Sequence, residues 1–122
     1  LSGTPPIMGM LALQDTLDLL EEVGMESIRA KSVKLTAYAV RLSDAWLAPL
    51  GVTVATPRNP ETRGSHITLS HPRMRGVVAE LWEDDVLPDY RDPEGLRLGL
   101  SPLSTSFAEV FVGMGRIRDL LG

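Results

Sequence analysis

Residues 95–103, Gly-Leu-Arg-Leu-Gly-Leu-Ser-Pro-Leu, place an arginine within a strict alternation of apolar and non-apolar side chains. This alternation has the period of a half-buried β-strand. It puts Arg97 on the face opposite the leucines, with Gly99 and Ser101 as small neighbours and open space in front of the guanidinium. A planar guanidinium makes two parallel, charge-assisted hydrogen bonds to a carboxylate. We therefore expect Arg97 to bind a carboxylate, with a solvated arginine on an outward strand face as the alternative.

Two further residues have side chains suited to binding. Thr4 precedes Pro5 and Pro6 at a predicted helix start, where its hydroxyl and the free backbone amides suit a phosphate or simply cap the helix. His66 lies on the polar face of a predicted strand, where the alternative is a hydrogen-bonded histidine without a chemical role. Because no second histidine or carboxylate stands at ligand spacing, we do not expect a metal site.

Composition bounds the class of protein. The 122 residues, 43% of them hydrophobic, fit one domain with a core of its own. The absence of cysteine excludes disulfides, thiolate metal ligands and cysteine nucleophiles. With a net charge of −4 and scattered basic residues, the chain is not expected to bind nucleic acid. No apolar run approaches the roughly 20 residues of a membrane-spanning helix. The opening residues lack a methionine, so we expect a piece of a longer protein.

Hydrophobic periodicity predicts the order helix, helix, strand, strand, helix, strand, strand, helix. The helices are predicted at about residues 5–24, 26–48, 74–83 and 106–121, and the strands at 52–55, 63–70, 86–90 and 95–101. In the last helix, Ser106 and Glu109 offer a capping box. Its predicted core stripe consists of Phe107, Val110, Phe111, Met114, Ile117 and Leu121. This order predicts a single α+β domain in which helices pack on a small, mainly antiparallel sheet.

A complete catalytic set is not evident from the residues alone. Residues 113–115, Gly-Met-Gly, lie on a helical pattern and lack the strand-to-helix context of a dinucleotide site. The acidic runs at residues 21–22 and 83–85 have the pattern of solvated surface, and no serine stands in a nucleophile elbow.

Seven short segments, taken together in order and spacing, resemble the C-terminal small domain of kynureninase. The resemblance covers nearly the whole chain, and the segments are residues 2–7, 24–32, 35–36, 56–58, 63–66, 89–91 and 95–107. It implies the aspartate-aminotransferase fold type, with residues 1–122 as the C-terminal small domain of a pyridoxal-phosphate (PLP) enzyme.

The family is expected to act as a cytoplasmic homodimer in tryptophan catabolism and NAD biosynthesis. It hydrolyses L-kynurenine, or 3-hydroxykynurenine, to anthranilate, or 3-hydroxyanthranilate, and L-alanine. The resemblance implies that Arg97 binds the α-carboxylate of the substrate. It also implies that Thr4 reaches the phosphate of the partner subunit's PLP. Gly3, Arg63 and His66 belong to the same pattern and are candidate site-lining residues.

Two features depart from the family. The large domain, with the lysine that holds PLP, is missing, and Lys31 and Lys34 do not match that lysine's context. We therefore expect this chain by itself to be inactive. Ser104 stands where the family usually has a tyrosine, which leaves the substrate identity open. The alternatives are the small domain of another enzyme of this fold type, an aminotransferase or a desulfurase, and a non-catalytic module that binds carboxylates.

Overall fold

The computed structural model describes residues 14, 15, 17–19, 21, 22, 24–83 and 88–122. The described residues between 14 and 22 are helical, in agreement with the predicted first helix. The predicted start of that helix, and residues 86 and 87 of the predicted third strand, lie outside the described residues.

Helix α1 (Met25–Leu42) continues as a π-helical turn (Ser43–Leu47) and a 3-10 turn (Ala48–Leu50). It ends at Gly51, whose φ of 90° lies in the left-handed region that favours glycine. The predicted helix end at residues 49–51 is therefore confirmed, whereas the change to π geometry was not predicted. The buried face of α1 consists of Ile28, Ser32, Leu35, Thr36, Ala39 and Val40.

Four strands form one antiparallel sheet in the order β1-β2-β4-β3. The strands are β1 (Thr53–Val54), β2 (His66–Ser70), β3 (Asp89–Arg91) and β4 (Gly95–Gly99). The two remaining helices are α2 (Met74–Glu83) and α3 (Phe107–Leu121). The predicted α+β class and antiparallel sheet are confirmed. β3 is an edge strand, as expected for a strand next to Pro88, which cannot donate a ladder hydrogen bond.

The core lies between the helices and one face of the sheet. Ile67, Leu69 and Leu96 from the central strands are fully buried and belong to one hydrophobic cluster with buried apolar residues from each of the three helices. Since side chains alternate across a strand, the polar residues of β2 and β4 lie on the opposite face. The helices thus cover the apolar face, and the polar face remains accessible.

Helix α3 begins with the predicted capping box. The Ser106 hydroxyl accepts a hydrogen bond from the Glu109 amide, and the Glu109 carboxylate accepts one from the Ser106 amide, both at 3.1 Å. The two contacts satisfy amides that have no partner within the helix. The side chains that α3 buries are Val110, Met114, Ile117 and Leu121.

The prediction that Phe107 and Phe111 belong to the core is wrong. Their exposed fractions are 42% and 50%. Phe111 is one residue, or about 100° around the helix, away from the buried Val110. The two rings instead pack at the flank of α1 and its π-helical turn, Phe107 against Tyr38 at 5.7 Å and Phe111 against Trp46 at 5.1 Å between ring centroids.

The strands begin later or are shorter than predicted. β2 starts at His66 rather than at residue 63, because a 3-10 turn (Pro60–Thr62) and the inward-facing Arg63 precede it. The turn is capped by Asn59, whose side chain accepts a hydrogen bond from the Glu61 amide at 3.0 Å. β1 has two paired residues where four were predicted.

An ion pair joins the π-helical turn to the loop after β1, and it makes stability dependent on pH. Both terminal nitrogens of Arg58 donate to the Asp44 carboxylate at 2.9 Å. These hydrogen bonds hold the pKa of Asp44 below its ordinary 3.8. Because the folded-state pKa is lowered, the pair stabilises the fold above the ordinary pKa and loses that contribution as the pH falls through the lowered one.

We therefore expect Asp44→Asn to lower the urea midpoint of the chain at neutral pH. The difference from the wild type should shrink and vanish in acid, as Asp44 of the wild type becomes protonated. Urea denaturation over a pH series checks this, with Asp92→Asn as control because Asp92 faces Arg75 at a longer 3.6 Å and is more exposed. A midpoint difference that persists undiminished in acid would contradict the prediction.

Candidate carboxylate site

Arg97 lies on the polar face of the sheet, in the strand where the alternation placed it. It faces Thr68 of β2 on one side and Asp89 of β3 on the other. Paired residues of antiparallel strands share a face, so these three side chains form one row across the sheet. The flanking Leu96 is fully buried, which fixes the side from which Arg97 emerges.

The guanidinium of Arg97 is held by Asp89. Nε donates to Oδ1 at 3.1 Å and Nη2 donates to Oδ2 at 2.8 Å. This is the paired, charge-assisted arrangement that carboxylates make with arginine. The space in front of Arg97 therefore already contains one carboxylate of the chain itself. Asp89 belongs to a segment of the resemblance, residues 89–91, but is not among the candidate site residues predicted from the sequence.

A second arginine contacts the same carboxylate. Arg91, two residues further along β3, places Nη2 3.1 Å from Oδ2 of Asp89. Asp89 thus lies between two guanidiniums, and the three side chains together carry one net positive charge. We call Asp89, Arg91 and Arg97 the arginine–aspartate cluster.

One edge of the Arg97 guanidinium remains available to a ligand. Within residues 24–83 and 88–122, Nη1 of Arg97 makes no hydrogen bond, and 35% of the side chain is exposed. The Nη1 group and the second hydrogen of Nη2 point away from the edge that Asp89 occupies, since guanidinium geometry is planar and rigid. The cluster can therefore accept a second carboxylate at the end of the guanidinium.

The turn between β3 and β4 is held by contacts of Tyr90. The Tyr90 hydroxyl donates to the carbonyl oxygen of Pro93, and the Arg75 guanidinium of α2 lies 5.0 Å from the centre of the Tyr90 ring. The Asp92–Pro93 peptide bond is cis. At Gly95 a Cβ atom would lie 3.0 Å from the Arg91 carbonyl oxygen. The hairpin that carries the cluster is thus closely packed.

His66 shares the face of Arg97. It is paired with Gly99 of β4 and lies two residues from Thr68, which corresponds to about 7 Å along the strand. Its side chain is exposed and makes no hydrogen bond within the described part of the chain. The structure therefore places His66 on the same face as the cluster without a hydrogen bond to it, and its role as a site-lining residue stays a prediction.

Arg63 lies on the other side of the sheet, against α1. Its exposed fraction is 9%, and Nε donates to the Thr36 hydroxyl at 3.0 Å while Nη1 donates to the Arg58 carbonyl at 2.8 Å. Arg29 donates to the carbonyl oxygens of Arg63 and Pro60. Burial, and then the charge of Arg29, lower the pKa of Arg63. These contacts tie the loop before β2 to α1, and the structure does not bring Arg63 to Arg97.

The remaining predicted site residues, Gly3 and Thr4, lie outside the described residues. Among the described residues, every buried polar side-chain atom has a hydrogen-bond partner, so none of these atoms is left unpaired for PLP. Lys34 of α1 is exposed and Lys31 is half-buried.

The part of the chain that the structure describes contains no group of three histidine or acidic residues able to hold a metal ion. It also contains no helix long and apolar enough to cross a membrane. A groove of about 470 Å³ lies between the end of β4 and α3, lined mainly by apolar side chains such as Leu98, Val112 and Met114. Arg97 does not line this groove, so the groove and the cluster are separate features.

Solved structures show the class of fold. The chain is similar to the apo structure of a cysteine desulfurase from Thermococcus onnurineus, with a TM-score of 0.80 and 21% identity over 99% of this chain and 32% of that chain. A NifS-like protein matches with a TM-score of 0.76 and 18% identity, over 98% of this chain and 35% of that one. The chain therefore has the same fold as a domain of each of these two proteins.

Sequence comparison shows the family within that class. The model of the kynureninase C-terminal domain matches residues 28–117. The kynureninase of Pseudomonas fluorescens is 35% identical over 99% of this chain, and that of Geobacillus thermodenitrificans is 36% identical over 89%. The chain belongs to the kynureninase C-terminal domain family. It spans 29% and 26% of the length of these two relatives.

Proposed function

We propose that this chain is the C-terminal domain of a kynureninase and that Arg97 binds the α-carboxylate of L-kynurenine or 3-hydroxykynurenine. The observation that carries the proposal is the Arg97 guanidinium, which Asp89 holds by two hydrogen bonds on the accessible face of the sheet. Membership of the family supports the substrate class.

The chemical contribution of this domain is binding and orientation. A carboxylate at the free edge of Arg97 is held by charge-assisted hydrogen bonds in a fixed direction. Such anchoring limits the orientations of the scissile bond and so lowers the barrier of a later step. The PLP that supplies the electron sink belongs to the large domain, which lies outside this chain.

The proposal extends to the parent protein, which we infer to be a PLP-dependent hydrolase of tryptophan catabolism. The parent is a cytoplasmic homodimer, and residues 1–122 are its small domain. Thr4 of each subunit reaches the phosphate of the partner subunit's PLP. The support for these statements is the family match alone.

A second candidate is another enzyme of the same fold class. The likeness to a cysteine desulfurase and the presence of Ser104 where the family usually has tyrosine favour it. A carboxylate-binding arginine in the small domain would suit any amino-acid substrate. The products separate the candidates, because kynureninase releases alanine and an anthranilate whereas an aminotransferase yields a keto acid.

The proposed function predicts that the full-length parent, supplied with PLP, releases anthranilate from L-kynurenine or its 3-hydroxy analogue from 3-hydroxykynurenine. The 122-residue chain assayed beside it should release neither, because it lacks the PLP-binding lysine. Anthranilate fluorescence and amino-acid analysis for alanine measure the reaction. A parent that binds PLP but yields a keto acid, or no product, would contradict the kynureninase assignment, and turnover by the fragment would contradict the division between domains.

A further inference from the structure

We propose that Asp89 and Arg91 are positioning residues of the carboxylate site, Asp89 by orienting the Arg97 guanidinium and Arg91 by cancelling the charge that Asp89 brings. The inference rests on the proposed role of Arg97. Neither residue needs to touch the substrate, because both act through Arg97.

Asp89 fixes which edge of Arg97 the substrate can use. Its two oxygens occupy the Nε and Nη2 hydrogens, at 3.1 and 2.8 Å. An arginine side chain without such a partner has many rotamers, and its Nε–Nη2 edge can itself bind a carboxylate by two parallel hydrogen bonds. With that edge occupied, the guanidinium is held in one plane and a ligand must approach its Nη1 and Nη2 end. Asp89 therefore sets the direction of the ligand before the ligand binds.

Asp89 would also repel a second carboxylate at the same guanidinium. Arg97 and Asp89 alone form a neutral pair, and a neutral pair attracts an anion weakly. Arg91 contacts the same oxygen, Oδ2, at 3.1 Å and restores one net positive charge to the cluster. The row of charges is positive, negative, positive, so the site keeps both a fixed orientation and an attraction for an anion.

The hairpin backbone keeps these charges in place. Asp89 is paired with Arg97 and Arg91 with Gly95 in the antiparallel register. The side chains of Arg91 and Asp89 are about half exposed, at 51% and 45%. Their separation is thus determined by strand pairing and not by close packing of the side chains themselves.

The test uses the full-length PLP enzyme and two measurements. One is the KM for L-kynurenine beside the inhibition constant of its analogue that lacks the α-carboxylate. The other is a titration with L-alanine followed by the absorbance of PLP, which reports carboxylate binding whether or not kynurenine is the substrate. If the wild type binds L-alanine but does not hydrolyse kynurenine, the proposed function is refuted. The L-alanine titration of the same variants then still tests the positioning inference.

We expect Asp89→Asn to weaken kynurenine and L-alanine binding by roughly tenfold, the scale of a lost charge-assisted contact, because the lost orientation of Arg97 outweighs the repulsion that is relieved. The inhibition constant of the analogue should not change. Asp89→Glu should recover part of the affinity. Arg91→Gln should weaken binding less, by roughly threefold to tenfold, with the larger effect at low ionic strength. In an Arg97→Ala background, Asp89→Asn should cause no further weakening, because Asp89 then has no Arg97 guanidinium to orient.

The control lies on the same hairpin. Asp92→Asn alters an exposed pair, with Arg75 at 3.6 Å, and should leave both affinities unchanged. Equal weakening of kynurenine and of its analogue in Asp89→Asn would mean general damage to the site and would overturn the inference. Unchanged L-alanine affinity in both Asp89→Asn and Arg91→Gln would overturn it as well.

Discussion

Replacing Arg97 by alanine in the full-length parent is expected to raise the KM for L-kynurenine by roughly 30-fold to several thousand-fold, with PLP binding retained. The range corresponds to the 2 to 5 kcal/mol, approximately, that is lost when one partner of a hydrogen-bonded charge pair is truncated. Part of the loss arises because Asp89 would then face the substrate carboxylate without its principal donor. Steady-state kinetics and the PLP absorbance of the purified variant measure the two quantities.

Arg97→Lys serves as the matched variant. It keeps the charge but replaces the planar fork by a single ammonium group, which cannot hold Asp89 and a substrate carboxylate in the same plane. We expect its KM to lie between those of the wild type and Arg97→Ala. If Arg97→Ala leaves the KM unchanged, Arg97 does not bind the substrate.

Replacing Arg63 by alanine is expected to destabilise the chain by about 2 to 4 kcal/mol. The change removes the donors to the Thr36 hydroxyl and to the Arg58 carbonyl and leaves a cavity next to α1. Arg63→Met should restore part of the stability, because it refills the volume and no longer buries a charge. Urea denaturation measures the free energy of unfolding, with the exposed Arg41→Ala as the control.

The same Arg63 variants separate a structural role from a role in the site. If the contacts with α1 are its whole function, Arg63→Met in the parent should lower stability and leave the KM for kynurenine close to that of the wild type. If Arg63→Met instead keeps the stability of the wild type and raises the KM, Arg63 acts in the site, which would support the prediction that it lines the site.

The strand of Arg97 could be predicted from the sequence because its evidence is local. Alternation over residues 95–101 places the leucines on one face and Arg97 on the other, and the buried Leu96 confirms it. Asp89 could not be selected in this way. Its importance depends on the register of β3 with β4, which the turn geometry determines and the alternation does not. The sequence does contain an indication of this pairing, because Asp89 and Arg97 are equally far from Pro93 in the turn and residues equidistant from a hairpin turn lie opposite each other.

Long-range contacts explain the other differences. Arg63 begins a predicted strand and is a candidate site-lining residue, but its partner Thr36 is 27 residues away on α1. No local pattern indicates that a charged side chain is buried against a helix. In α3 the apolar stripe is wider than the face in contact with the core, so Phe107 and Phe111 fit the period and still lie at the flank. The hydrophobic period of a helix indicates which face is apolar, whereas the width of the face that is buried depends on the neighbouring elements.

The close packing at Gly95 has a genetic consequence. Every single-base change in a glycine codon that alters the amino acid, without creating a stop, introduces a side chain with a Cβ atom. At this position that atom would lie 3.0 Å from the Arg91 carbonyl oxygen of β3 and 3.2 Å from a methyl carbon of Thr68 of β2, so the β3 backbone and the Thr68 side chain would have to shift. Strand β3 carries Asp89 and Arg91. Apart from the synonymous changes and a stop, every single-base change in the Gly95 codon therefore disturbs the arginine–aspartate cluster without changing any of its residues.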